Sequence, residues 1–358
     1  MTRRVGPPSV AGMTRDLPEA VRDLLNQHAG VLTRAEALGA GLTRKQLEAR
    51  LESGRWQRLH TGVYAAFSGQ PGRPSLLWAA LLRAGPSSAL SHHTAAELDG
   101  LAPDQARLQA PLQGPLQGPP QGPLTGWRAI HVMVPSGHQV APLAGVVLHY
   151  SGRLDEARHP ARTPPRTRVE ETVLDLAVAA GSLDDALGWV LRACGSRRTT
   201  PGRLAAALAL RGRVRWRAEL SATLGLAADG VHSLLEFRYV TRVERPHGLP
   251  AGHRQHLVVR AGQRQYQDVT YREYGLVVEL DGVAAHPAGE RWRDVRRDNA
   301  NHAVGQTTLR YGWGDVTERP CFVAGQVADA LAARGWTGAP CRCGRSCGLA
   351  GTGRARPG

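Results

Sequence analysis

Three carboxylates stand on or beside an apolar strand in the last third of the chain, and their spacing is that of a metal site. The run Leu276-Val277-Val278-Glu279-Leu280-Asp281-Gly282 reads as a strand, and Asp268 lies in a strand-like run before it. Read as a hairpin, residues 264–271 run up, 272–275 turn and 276–281 run back, which sets Asp268 opposite Glu279. Like charges at facing positions destabilise a ladder. Glu279 and Asp281 project from one face of the strand, while Val278 and Leu280 point to the other, toward a core. A hard divalent cation such as Mg2+ or Mn2+ turns that repulsion into coordination. It keeps several waters, so Asp268, Glu279 and a carbonyl such as that of Leu280 are enough protein to hold it. Such a metal acidifies a bound water and stabilises the charge that grows when a phosphodiester is displaced in line.

Glu236, on a preceding helix, adds a fourth acid, and His286, after the strand, is placed to shuttle a proton. The helix that follows carries Arg291-Trp292-Arg293-Asp294-Val295-Arg296-Arg297-Asp298. There Arg291 and Arg297 offer guanidiniums to phosphates, and Trp292 offers a stacking surface. Each acid taken singly has an ordinary reading. Asp281-Gly282 is also a turn signal, Asp268 can pair with Arg264 or Arg272, and Glu236 can be a surface helix residue. Their combination is harder to dismiss, because Glu279 inside an apolar strand needs a reason to be half-buried.

The elements that must position these groups read as follows. Residues 232–242 form a helix, 255–260, 265–271 and 276–280 form strands, 289–304 a helix, 307–311 a strand and 323–334 a helix. An antiparallel meander followed by a helical crossover is an α/β sandwich. A second set of elements opens the chain. After a helix over 17–28 come two capping boxes, Thr33-Arg34-Ala35-Glu36 and Thr43-Arg44-Lys45-Gln46, each starting a short helix. Strands over 56–59 and 63–67 follow, in the order of a winged helix-turn-helix. The second helix of the pair displays Arg44, Lys45 and Arg50, and the hairpin adds Arg55, Arg58 and His60, so a recognition helix and a basic wing come from one segment. Helix-turn-helix units also serve as protein–protein modules, and a basic helix face is often merely solvated.

Between these regions lie helices over 75–83 and 91–101, a low-complexity loop over 111–124, strands over 130–134 and 146–150, and helices over 169–180, 183–194 and 203–210. His92 and His93 stand beside Glu97 and are assigned no role. The reading is therefore an α/β multidomain chain: a winged helix-turn-helix over 14–68, a mixed α/β middle region over 75–212, an α/β domain over 225–336 and a disordered tail over 338–358. The tail holds Cys341, Cys343 and Cys347, three thiols where structural zinc takes four ligands, and no histidine follows His302.

Composition narrows the partners. The net charge of +15 is carried by 44 arginines and one lysine, Lys45. Guanidinium suits phosphate contacts, although a GC-rich genome produces the same bias. No apolar stretch is long enough to span a membrane, and the first residues lack the apolar core of a signal peptide. An odd count of five cysteines fits a reducing compartment. The expected location is the cytoplasm.

The residues Leu235-Glu236, Gln267-Asp268, Val278-Glu279-Leu280-Asp281-Gly282, His286, Arg297-Asp298 and Leu309-Arg310-Tyr311 resemble the very-short-patch-repair-like (Vsr-like) endonuclease domain of the PD-(D/E)XK superfamily. The resemblance implies a restriction-endonuclease-like αβββαβ core, with Asp268 and Glu279 as metal ligands, Glu236 as the helix acid and His286 as the auxiliary histidine. Asp281 departs from the pattern, since the superfamily often has lysine there. The segment from Gly30-Val31-Leu32-Thr33 through Gly54-Arg55-Trp56 to Thr61-Gly62-Val63-Tyr64, with Ala89-Leu90-Ser91-His92-His93, resembles the AbiEi-like antitoxin winged-helix region. In that family the winged helix binds promoter DNA and represses its own operon with a partner toxin, so duplex DNA and a toxin are the implied partners. A nuclease-like domain in the same chain departs from that family. The expected function is a DNA-binding protein with a magnesium-dependent endonuclease domain. Its alternatives are a non-catalytic antitoxin-like regulator that keeps the nuclease fold as a nucleic-acid clamp, and a nuclease directed at RNA.

Overall fold

The computed structural model describes residues 16–101, 129–260, 263–281, 299 and 301–349. The chain divides into two compact units, one ending at Leu176 and the other beginning at Ala177.

In the first unit, α1 (Glu19–Gln27), β1 (Val31–Thr33), α2 (Arg34–Gly39), α3 (Arg44–Glu52), β2 (Gln57–His60) and β3 (Val63–Ala65) form a winged helix with a sheet ordered β1-β3-β2. Both capping boxes are present. The Thr33 and Thr43 hydroxyls accept the N–H groups of Glu36 and Gln46, whose side chains accept the threonine N–H groups in return. β1 is a strand beyond those expected. It pairs antiparallel with β3, Val31 to Ala65 and Thr33 to Val63.

β3 is buried along its whole length because it is covered on both faces. Tyr64 joins Leu25, Leu47 and Trp56 under the three helices. Val63 and Ala65 face Leu77, Ala80 and Leu81 of α4 (Arg73–Ala84). That second cover makes the winged helix continuous with the mixed sheet behind it, ordered β4 (Ala89–Leu90), β5 (Ile130–Pro135), β6 (Val146–Ser151). α5 (His92–Leu98) follows β4. The expected boundary between 68 and 75 is therefore spanned by one core. The expected middle region is instead divided at Leu176, and the helices Leu183–Gly195 and Pro201–Ala209 fall in the second unit.

The second unit contains a four-stranded sheet ordered β10-β9-β8-β7. Its strands are β7 (His253–Arg260), β8 (Gln263–Tyr271), β9 (Leu276–Asp281) and β10 (Thr307–Gly312). β7, β8 and β9 are antiparallel neighbours, and β10 runs parallel to β9. The core sets Val269, Tyr271, Val278 and Leu280 against Leu235, Tyr239 and Val243 and against Val323, Val327 and Leu331 of the Pro320–Ala332 helix. The expected helix over 232–242 is a short α-helix, Leu234–Arg238, continued by a π-helical turn, Tyr239–Glu244. Two helices, Arg217–Ala228 and Trp313–Glu318, lie where no helix was expected. Residues 338–349, expected to be disordered, are described and docked: Cys341 N–H donates to the His247 carbonyl at 2.8 Å. A loop segment needs such partners to hold it, and here buried Cys347 supplies an anchor as well. Among the described residues no helix is long and apolar enough to cross a membrane.

Candidate functional site

The winged helix exposes its basic residues as its periodicity requires. Of α3 only Leu47 is buried, so Arg44 and Lys45 in its first turn face solvent, as do Arg55 and Arg58. Arg50 is partly buried, with its guanidinium 5.9 Å from the Trp56 ring centroid and Nη1 donating to the Gln46 carbonyl at 3.1 Å. Arg58 lies 6.0 Å from the Tyr64 ring in the same manner. Cation–π seating of this kind limits the rotamers of a long side chain before any ligand arrives. His60 is held below the usual imidazole range by burial, then by the nearby positive charge of Arg83.

The hairpin of the second unit forms in the expected register. Its last paired residues are Tyr271 with Leu276, Thr270 with Val277, and Val269 with Val278, around the turn Arg272–Tyr274 and a left-handed Gly275. Asp268 and Glu279 come next in that register. There the ladder gives way to a side chain, as Asp268 Oδ2 accepts the Leu280 N–H at 2.9 Å. Glu236 is buried at the start of its helix, its N–H donating to the Ser233 cap at 3.1 Å. Its carboxylate accepts the His232 N–H at 3.0 Å and Gln255 Nε2 at 3.1 Å. Gln255 also reaches Asp268 Oδ1 at 3.5 Å, so one amide joins the two acids. It does so from a left-handed backbone, φ +47°, inside a strand, a conformation that costs a non-glycine residue on the order of 1–3 kcal/mol.

Burial is the main reason that Asp268 titrates high, at about 6; the negative fields of Glu236 and Asp281 raise it further, against the Leu280 N–H and Gln255, which lower it. Glu236 is raised by burial too, opposed chiefly by the His232 N–H. Asp281 is paired with Arg310 Nη1 of β10 at 3.3 Å. Glu279 is partly buried and sits beside Arg310 in the β9–β10 register. Among the described residues, no three of these acids bring ligand oxygens within 4.8 Å of one another. His286, Arg291, Trp292 and Arg297 lie outside the described residues.

Gln255 was not anticipated from the sequence, because nothing in a glutamine on an edge strand marks it as a bridge between acids. Nor was a stack of four imidazoles in the first unit. His92 stacks on His149 with ring centroids 3.6 Å apart, His131 Nδ1 lies 2.9 Å from His149 Nε2, and His93 meets the edge of His131. Glu97, the neighbour considered for His92 and His93, is instead bound to Arg73 at 2.7 Å. Burial holds His93 and His149 below the usual imidazole range.

Residues 19–66 match the model of the family described as "Transcriptional regulator, AbiEi antitoxin". The match spans the winged helix from the start of α1 to the end of β3. No curated protein matches the chain.

Proposed function

We propose that the protein is a DNA-binding transcriptional regulator of the AbiEi type, with duplex DNA as its ligand and a toxin as its further partner. The observation that carries this reading is the exposed basic first turn of α3, on a winged helix that matches the regulator family over residues 19–66. In the docking geometry of helix-turn-helix units, the start of the recognition helix meets base edges. Arg44 and Lys45 occupy that place, and Arg50, Arg55 and Arg58 stand where phosphates flank the groove. Anisotropy titrations on duplex DNA over a range of salt test it. Replacing Arg44 and Arg50 with alanine is expected to weaken binding and make the salt dependence shallower by roughly one unit of slope for each phosphate no longer neutralised. An unchanged slope would place the DNA elsewhere.

A second reading, metal-dependent hydrolysis of DNA by the second unit, is favoured by the acids. The order of that unit, a helix, an antiparallel meander and a fourth strand parallel to β9, and the placing of Asp268 and Glu279 just beyond the last paired residues of β8 and β9 support it. Asp268 and Glu279 are hard oxygen donors that fit a magnesium-like cation, and these two would hold it; when bound it supplies a Lewis acid and an acidified water. The chain's own groups fix the arrangement: the Leu280 N–H orients Asp268, Gln255 orients Glu236, and Arg310 answers Asp281 where the superfamily often has lysine. Supercoiled plasmid with magnesium or manganese is the test. Nicking that disappears in Glu279→Ala establishes hydrolysis at this site, whereas intact plasmid that is nonetheless retarded in a gel leaves the regulator alone.

A further inference from the structure

The three thiols of Cys321, Cys343 and Cys347 do not lie loose. Cys321 Sγ is 3.6 Å from Cys343 Sγ and 3.6 Å from Cys347 Sγ. The ring of His247 completes the group, and one ligand atom from each of the four residues lies within 4.8 Å of every other. Four atoms at the corners of a tetrahedron around zinc, with zinc–sulfur bonds of about 2.3 Å, put sulfurs about 3.8 Å apart. A disulfide needs sulfurs about 2.05 Å apart, and all the cysteines are free thiols.

His247 supplies an independent sign. It is fully buried, and its Nδ1 lies 2.8 Å from the Val243 carbonyl, the hydrogen bond that fixes Nδ1 as the protonated nitrogen. That leaves Nε2 as a lone pair, buried and without a hydrogen-bond partner among the described residues. A protein interior does not leave such an atom unsatisfied without cost. A ring oriented through one nitrogen by a backbone carbonyl, with the other nitrogen aimed at a ligand, is the usual outer arrangement of a metal-binding histidine.

Separate stretches of the chain bring the four residues together. His247 follows the π-helical turn, and Cys321 is the second residue of the Pro320–Ala332 helix, where N-terminal N–H groups favour a thiolate. Cys343 and Cys347 flank a turn in which Cys347 N–H donates to the Gly344 carbonyl, and Arg342 donates to the Cys347 carbonyl. Gly248, at φ +67°, leaves room for Cys341, since a Cβ there would lie 3.0 Å from its sulfur. We infer that His247, Cys321, Cys343 and Cys347 bind one zinc ion, a closed structural site that ties the C-terminal segment to the loop before β7. Soft thiolates with one imidazole select zinc over magnesium, and four protein ligands leave no position for substrate.

Metal analysis of the full chain, incubated with zinc chloride and then desalted, tests the assignment. One zinc per chain is expected, retained in Cys341→Ser and Cys194→Ser and lost in Cys343→Ser combined with Cys347→Ser. Cys343 is exposed, and Cys347, though buried, lies outside the cluster that packs the sheet of this unit, so neither substitution removes a side chain from that core; His247→Gln is the harsher companion. Cobalt in place of zinc should give the visible bands of a tetrahedral thiolate site. A wild-type chain that emerges without metal, a double variant that keeps its zinc, or a disulfide among the three cysteines would each overturn the site.

Discussion

The acids on and beside β8 and β9 and the thiols gathered around His247 are both sets of side chains chemically able to ligate a metal, in one unit, and they differ in what holds them. Each of three acids is satisfied from within: Glu236 by Gln255 and the His232 N–H, Asp268 by the Leu280 N–H, Asp281 by Arg310. The thiols and His247 instead converge on a common point with an imidazole nitrogen left over. A set of ligands that has exhausted its partners can stand without a cation, at the cost of raised carboxylate pKa values. A convergent set with an unsatisfied buried atom stands without one only at the cost of that unmade bond, so the second set is the better-formed metal site and the first the one whose chemistry is open.

The largest effect that separates them is chelation. Stripping a zinc-type site removes the metal-borne ties between residues 338–349 and the loop at His247 and leaves, among the described residues, only the Cys341 contacts there, whereas the β8–β9 hairpin keeps its internal hydrogen bonds. A strong chelator is therefore expected to raise proteolytic cleavage within 338–349 by about an order of magnitude while cleavage in the hairpin stays as it was. Mass spectrometry of limited digests reads both regions at once, and equal exposure of the two would erase the distinction.

The two sets also differ in how far the sequence revealed them. The hairpin register was legible because strand alternation and an even turn fix which residues face each other, and it holds from Tyr271–Leu276 to Val269–Val278. α2 and α3 were legible from their capping boxes. The thiol site was not, because a search along the chain looks for a fourth ligand close by or downstream, whereas His247 arrives from before β7 and is brought in only by tertiary packing. The helix Arg217–Ala228 was hidden for a related reason. It starts after Trp216 in a left-handed conformation with no side-chain cap, and its buried face includes Thr223 and Ala227 rather than a clean apolar stripe. Gln255 carried no signal at all, since its role depends on a backbone conformation that glutamine rarely adopts.

A smaller effect tests the burial of the acids. The folded chain holds the Asp268 proton up to about 6, against 3.8 for an ordinary aspartate, so folding takes up a proton in that window. Stability contributed by the protonated form is present below pH 3.8, falls as pH rises through the window, and above about 6 the full penalty of the buried charge remains. At about 1.4 kcal/mol per pKa unit, that penalty is on the order of 2–3 kcal/mol. Asp268→Asn keeps an oxygen for the Leu280 N–H and removes the charge, so it should be more stable than the parent at pH 8 and nearly equal at pH 4 when measured by urea titration without added magnesium. Added magnesium should stabilise the parent and leave the variant unmoved if Asp268 is a ligand. A parent whose stability is flat from pH 4 to 8 would remove the electrostatic cost assigned to this acid.

The smallest effect concerns Arg310, the cation that stands among the acids. Its ion pair with Asp281 is partly open to water, and pairs of that kind contribute about 0–1 kcal/mol, since screening and the entropy of two long side chains offset the attraction. Arg310→Met is therefore expected to change stability by less than about 1 kcal/mol. Its effect on function should be larger than its effect on folding. Arg310 sits beside Glu279 and binds Asp281, so it supplies permanent positive charge at the end of β9. A guanidinium cannot give up its proton at neutral pH, which limits Arg310 to neutralising charge and excludes it as a base. If the unit cleaves DNA, the variant should lose rate with no change in the pH profile; a profile that shifts would mean that the arginine sets the protonation of the neighbouring acids instead.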